Sequence, residues 1–119
     1  MVNSNVYKDR IKDYLLDELN TKYTHFAIGA GTTAASDNDT TLENEVFRDV
    51  IDSVVISGDT VVYKCKIETS ELNGQSISEI GIFDADTGGE MLCRLTFNPI
   101  TKDENIEIWL EVIEEVLVE

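Results

Sequence analysis

Apolar residues recur every three to four positions through the first twenty residues and every second position over most of the rest. The stretch VYKDRIKDYLLDELN (residues 6–20) has neither Gly nor Pro. Val6 or Tyr7, Ile11, Tyr14, Leu15 and Leu19 form one stripe, and Lys8, Asp9, Lys12, Asp13 and Asp17 fill the opposite face. With Asn3, Ser4 or Asn5 as the cap, this spacing predicts a helix over about residues 4–20. Beyond Lys22 β-formers take over. Tyr23 to Ile28 reads as a short strand ended by Gly29-Ala30-Gly31. Ala30 to Thr41 is small and polar, with no core residue larger than alanine, and predicts a loop. LENEVFRDV (residues 42–50) reads as a helical turn that faces Leu42, Val46 and Phe47 inward.

The remainder is strand-rich. IDSVVIS and TVVYKCKIE flank Gly58-Asp59, which suits a tight hairpin turn, and Val61, Tyr63, Cys65 and Ile67 alternate with Val62, Lys64, Lys66 and Glu68. ELNGQ (residues 71–75) is a loop. ISEIGIFD and EMLCRLTFN form a second hairpin around residues 85–89, and Pro99, the single proline, is expected to break the chain. In the last strand Ile106, Ile108, Leu110 and Val112 alternate with Glu107, Trp109, Glu111 and Ile113. It is long for a free edge and is expected to be paired. With no repeat and no linker, residues 1–119 read as a single domain, strand-rich over 23–118. The class is α+β: an N-terminal helix packed on a mostly antiparallel β-sheet or small β-sandwich.

The 119 residues, 42% of them hydrophobic, suffice for one core and not two. A compact domain of this length has a radius of gyration of about 13–14 Å. No apolar run approaches the roughly 20 residues of a membrane helix. The first residues lack the apolar stretch of a signal peptide, so the expectation is a soluble domain made in the cytoplasm. Nine Lys and Arg against 24 Asp and Glu give a net charge of −15. Such a surface repels phosphate, so neither nucleic acid nor an anionic membrane is an expected partner, whereas another protein with basic patches is. The carboxylates concentrate at the end: Asp103, Glu104, Glu107, Glu111, Glu114, Glu115 and Glu119, with no basic residue among them. Both a solubilising face and a docking surface fit that run.

Candidate chemistry is sparse. Cys65 and Cys93 have no CxxC spacing and no clustered histidine, which excludes the common zinc patterns. They read as core residues, with a disulfide open only if their strands are neighbours. His25, the only histidine, has no nucleophile that sequence can pair with it. Gly29-Ala30-Gly31-Thr32 does not open directly into a helix, as a phosphate cradle would. Asp84-Ala85-Asp86-Thr87-Gly88 shares part of a calcium-loop pattern, but Gly88 offers no side-chain oxygen at the fifth place and Leu95 stands at the twelfth. Asp and Gly are also what a hairpin turn requires. No catalytic residue, cofactor or metal is expected, and the residues alone point to a binding or structural domain rather than an enzyme.

Three segments in order carry more: Ala27-Ile28-Gly29-Ala30-Gly31-Thr32, then Leu42-Glu43-Asn44-Glu45-Val46-Phe47-Arg48, then Ile77 to Asp86 (ISEIGIFDAD). Together they resemble the phage tail-collar fibre family, whose N-terminal domain attaches tail fibres to the baseplate of a tailed virus. The family pattern runs through an AIGxGT strand end, an LxxEVxR turn and an IxEIGxFDAxG strand and hairpin, and the resemblance covers roughly residues 5–100. Two departures stand out: Ser78 where the family often has Arg, and Gly88-Gly89 where it has a single Gly. The resemblance implies a virion structural protein, a baseplate, tail-tip or fibre-attachment component. It also implies homo-oligomers, commonly trimers, and other tail or baseplate proteins as partners. Members continue into a shaft and receptor-binding tip that these residues do not match, so host recognition is not expected of them. The motif residues marked for structure and assembly are Leu42, Glu45, Arg48, Glu79, Gly81, Phe83, Asp84 and Asp86. Gly81 inside a strand requires a close packing partner or a bulge. Glu45 and Arg48 are three apart on the expected turn, and an Arg48–Glu79 pair could tie that turn to the sheet, within one subunit or across a subunit boundary. The alternatives are a small cytosolic domain that binds a ligand against the Gly29–Thr41 loop, and an acidic hydrolase with Asp84, Asp86 and Glu79 around a divalent ion.

Overall fold

The computed structural model describes residues 4–117. The Asn3 cap, the Glu119 carboxylate and the side chains of Val6 and Tyr7 lie outside the described residues. One helix, α1 (Ser4–Lys22), precedes seven strands: β1 (His25–Gly29), β2 (Glu45–Val50), β3 (Ser53–Ser57), β4 (Thr60–Ile67), β5 (Ser76–Phe83), β6 (Met91–Thr101) and β7 (Ile108–Glu115). They form a four-stranded sheet in the order β2-β1-β5-β6 and a three-stranded sheet in the order β3-β4-β7, with every pairing antiparallel. The fold is α+β.

The period-two pattern explains the layers. Phe26 and Ile28 of β1 and Ile80 and Ile82 of β5 meet Val61, Tyr63, Cys65 and Ile67 of β4 and Val112 of β7 in one core. Val62, Lys64 and Lys66 take the opposite, more open face of β4. Lys102, just after β6, is buried and donates to the Thr69 and Asp103 carbonyls and to Asn73 Oδ1, which pins the 68–75 loop.

Four expectations are corrected. The stretch expected as a helical turn over 42–50 is loop followed by strand β2. Phe47, Arg48, Asp49 and Val50 pair with β1, and Phe47 packs against Phe26 with ring centroids 6.1 Å apart. The ladder to β1 satisfies backbone groups that a single isolated turn would leave open. Second, the helical stripe is rotated. Leu16 and Leu19 reach the core, whereas Ile11, Leu15 and above all Tyr14, 69% exposed, do not. The helix is tied to the strands by Lys12, which pairs with Asp59 at 3.2 Å, by Lys22, which pairs with Glu90 at 2.6 Å, and by the Tyr63 hydroxyl, which donates to the Leu19 carbonyl; Ser4 and Asn5 already belong to α1. Third, Pro99 does not end its strand. β6 continues to Thr101 through a bulge in which Phe97, Asn98 and Pro99 oppose Ser78, and a sheet edge tolerates the missing donor. Fourth, the molecule is elongated, with a radius of gyration of 16.0 Å and extents of 60 × 27 × 24 Å. No helix among the described residues is long and apolar enough to cross a membrane.

The last strand is paired, as expected, through an eight-residue ladder with β4 from Ile108 to Glu115. Among the described residues its other edge is unpaired, because β7 closes the order of its sheet.

Candidate functional site

The three family-like segments come together on the outer face of the four-stranded sheet. Register places Arg48, Ala27, Gly81 and Arg94 in one row across β2, β1, β5 and β6, and Glu45, Gly29, Glu79 and Thr96 in the next. Two small residues thus lie between two arginines, and two carboxylates flank a glycine.

Glu79 is the centre of this face. Its carboxylate is fully buried, at 0% exposure, and accepts four hydrogen bonds. Oε2 takes the Gly31 and Asn44 amides at 2.7 and 2.8 Å; Oε1 takes the Glu43 amide at 2.9 Å and Arg94 Nε at 2.7 Å. Burial pushes such a carboxyl up, but the Arg94 guanidinium and the three amides outweigh it and hold Glu79 below the ordinary glutamate value. Arg94 also donates through Nη1 to Asp39 Oδ2 at 3.1 Å and through Nη2 to the Thr33 carbonyl at 2.9 Å. A buried charge is thereby paired and fully hydrogen-bonded. Glu43 repeats the device nearer the surface. It accepts from the Thr32 and Thr33 amides and the Thr33 hydroxyl, and these bonds hold its carboxyl below the usual range. The loop from Ala30 to Asn44 is therefore fastened by carboxylates of its own chain. The two glycines of the AIGxGT segment are required here. A Cβ on Gly29 would run into the Glu79 carboxylate and the Asn44 carbonyl, and one on Gly31 into Glu43 and Glu79.

Arg48 forms the second fastening, and it corrects the expected Arg48–Glu79 pair. Its guanidinium lies over the Phe83 ring, 3.8 Å from the centroid, and bonds Glu45 through Nη2 (2.6 Å) and Nε (3.2 Å). Nη1 donates to the Ala85 and Gly88 carbonyls at 2.9 and 2.8 Å, so Arg48 ties β2 to the β5–β6 turn within one chain. Glu45 and Arg48 share a face although they lie in a strand, because β2 carries an extra residue, Val46, where it passes Ile28 and Gly29. The guanidinium that reaches Glu79 belongs instead to Arg94, on the opposite edge of the sheet, with β1 and β5 between it and Arg48. Sequence reasoning missed Arg94. The signal was there: a lone charge inside the apolar run MLCRLTF has to find a buried partner.

Leu42 completes the face. Its Cδ2 and Phe83 Cε1 both lie 2.9 Å from where a Gly81 Cβ would stand, with Met91 Sδ at 3.2 Å, so only glycine fits beneath them. Leu42, Ala27 and Phe83 form a small second core with Met91 packed against it. Asp84 works inside the turn: its Oδ1 accepts the Glu90 amide at 2.7 Å, and Gly88 and Gly89 follow with φ of 59° and 77°. The second glycine absent from the family pattern therefore occupies a left-handed position of its own. Asp86 is exposed and has only a 3.5 Å contact with Thr87, so the structure does not bring it to the others. Among the described residues no three His, Cys, Asp or Glu side chains group as metal ligands, and Glu79, sealed beneath Arg94, does not converge with Asp84 and Asp86.

Cys65 and Cys93 are free thiols on strands of different sheets, each pushed up to about 12 chiefly by burial. His25 bonds only the neighbouring Thr24 hydroxyl among the described residues. The outer face of the three-stranded sheet differs in character. Val55, Val62 and Ile113 stand in one row across β3, β4 and β7, and Trp109 lies opposite Lys66, whose ammonium is 5.3 Å from the indole ring centroid. Ile113 is 59% and Trp109 49% exposed. Compared with models of known protein families and with curated proteins, the sequence matches none.

Proposed function

We propose that the chain is a virion structural protein of a tailed virus or prophage-like particle, a baseplate, tail-tip or fibre-attachment component that acts by protein–protein assembly. One observation carries this reading. The three segments that resemble the tail-collar fibre family, far apart in sequence, interlock on a single sheet face through Glu79, Arg94, Arg48, Gly81 and Leu42. The charged groups at the centre of that face, Glu79, Arg94, Arg48 and Glu45, are spent on one another and on backbone groups, so what that face delivers is a rigid shape rather than a reacting group. Apolar side chains left open elsewhere, Val55 and Ile113 among them, supply surface for assembly. The proposed partners are other tail or baseplate proteins and further copies of the chain, with a trimer as the resemblance implies, and the proposed location is the virion tail. The ligand-binding alternative is disfavoured, because the amides that would greet a ligand at Gly31, Thr32 and Thr33 already hold Glu79 and Glu43.

The test is immunogold electron microscopy, with antibody to this chain, on particles purified from the source culture. Gold at the tail end is the expected result. Abundant particles with neither gold nor peptides of this chain by mass spectrometry overturn the reading. In that case thermal shifts with small molecules become the next measurement.

A further inference from the structure

The sandwich is open along one side, where β6 and β7, the last strands of their sheets, face each other across a seam. A groove of about 530 Å³ lies there, with Ile80, Leu95, Phe97, Ile100 and Leu110 in its wall. A second hollow of about 430 Å³, bordered by Asp37, Asp39 and Glu114, shares Leu95 with it. The two edges are not equivalent. β6 carries Pro99 and register breaks at Leu92 and at Phe97–Pro99, so its ladder is split into a run from Cys93 to Thr96 and a short pairing at Ile100 and Thr101, with Met91 paired beyond Leu92. Bulges and proline of this kind guard an edge against further pairing. β7 has neither, and its eight residues run in unbroken register. Along its outer face Trp109, Glu111, Ile113 and Glu115 alternate, and along its inner face Ile108, Leu110, Val112 and Glu114 do.

We infer that the free edge of β7 accepts an extended segment of a partner protein as the fourth strand of the three-stranded sheet, with apolar side chains turned into the groove and Lys or Arg turned outward beside Glu111 and Glu115. Charge selects the occupant. Of the side chains that border the two hollows, the only cationic one is Arg94, and it is committed to Glu79 and Asp39. The rows Lys64–Glu111 and Thr60–Glu115 both end on a carboxylate at the open edge, and the row Val55–Val62–Ile113 between them ends on an apolar residue. Cross-strand neighbours of opposite charge stabilise a ladder and like charges destabilise it. A strand that is basic at two outward positions therefore completes these rows. The β7 edge of a second copy would instead set two glutamate-rich strands side by side. This inference rests on the assembly reading only in taking the ligand to be a protein strand.

The test uses the full chain and two capped peptides matched in length to β7, one alternating valine with lysine and one alternating valine with glutamate. Trp109, the only tryptophan, is the fluorescent reporter, and amide exchange maps the contact. Saturable binding of the lysine peptide, with added protection over residues 108–115, is expected. The glutamate peptide should bind about tenfold more weakly or worse. A lysine peptide N-methylated along its pairing edge keeps charge and side chains but cannot form the ladder, so its binding should be lost. The variant E111K/E115K, both sites exposed, should reverse the preference between the two peptides. No saturable binding, indifference to charge, equal binding of the methylated peptide, protection on β6 instead, or a dimer that seals β7 in sedimentation each overturns the inference. Immunogold labelling of particles is independent of all these outcomes, so failure of the seam and failure of the virion role are told apart.

Discussion

The outer faces of the two sheets have been used in opposite ways. On the four-stranded sheet the charged residues Glu79, Arg94, Arg48 and Glu45 are drawn together under a loop and a turn of the same chain. No buried side-chain nitrogen or oxygen among the described residues lacks a partner. On the three-stranded sheet valine, isoleucine and tryptophan stand at the surface with little over them. The residues that look chemical in the sequence thus serve the fold, and the residues that look like core material supply the open surface. A buried carboxylate that receives four donors is a substitute for a hydrophobic plug: it fixes one loop conformation, and it is costly to disturb.

Removing that carboxylate is the strongest way to break the contrast. Glu79→Ala leaves the Arg94 guanidinium and three amides without their acceptor, and unfolding in urea should show a loss of about 3–5 kcal/mol. A loss below about 1 kcal/mol would mean that water replaces the carboxylate freely and that the face is not sealed. Glu79→Gln sharpens the point through pH. Because the native carboxyl sits below its ordinary value of about 4.3, the unfolded chain takes up protons first as pH falls. This contribution is fully present above about pH 5 and is lost as pH drops through the folded value. Glu43 and Asp39, both also held low, add to the same acid limb. The Gln variant should be less stable at pH 7 and show a shallower decline below pH 5. An unchanged slope in thermal melts from pH 7 to pH 3 would remove Glu79 from the account.

Smaller effects probe the packing of the same face. Gly81→Ala drives a methyl group against Leu42 and Phe83, and overpacking of this kind costs about 1–3 kcal/mol. Combined with Leu42→Ala, the two changes should be less than additive, since the shortened side chain opens the space that the added methyl group fills. Strict additivity in melting experiments would show that the two side chains do not meet. Arg48→Ala removes the stacking on Phe83 and two bonds to the turn, for about 1–2 kcal/mol. Faster amide exchange confined to residues 84–90 is the expected signature, and unchanged exchange there would detach Arg48 from the turn.

Much of this was legible in the sequence, for physical reasons. The period-two runs at Val61–Ile67 and Leu110–Ile113 gave strands and faces because alternate burial leaves a direct trace. Gly58-Asp59 placed its hairpin because the turn needs a positive φ, and Gly58 has 59°. The 42–50 segment was misread because its spacing of Leu42, Val46 and Phe47 fits a helix, whereas a bulge at Val46 shifts the phase of a strand. The helix was found but its inward face was not, since Leu15 and Leu16 are adjacent and only contacts with distant parts of the chain select between them. Of the candidate site, Glu79, Gly81, Leu42, Phe83 and Arg48 do share one face. Their partners were illegible, because pairing across β2, β1, β5 and β6 follows from register and no local pattern encodes it.

The smallest predicted effect on the free subunit tests the other half of the contrast. Val55→Thr and Ile113→Thr replace open apolar side chains of the three-stranded sheet with a residue that keeps the β-branch and the strand preference. Because these side chains already meet water, little transfer free energy is lost, and the doubly substituted subunit should match the parent within about 0.5 kcal/mol in urea. Incorporation into particles, followed by mass spectrometry after co-expression, should nonetheless fall, since a surface used for assembly loses apolar contact there. A destabilisation above about 1.5 kcal/mol in the isolated subunit would show that this row is packed within the monomer. The two faces would then be alike, and the exposed row could no longer be assigned to assembly. Unchanged stability with unchanged incorporation would leave the contrast intact and move the assembly surface to the β7 edge or to the open face of α1 around Ile11 and Tyr14.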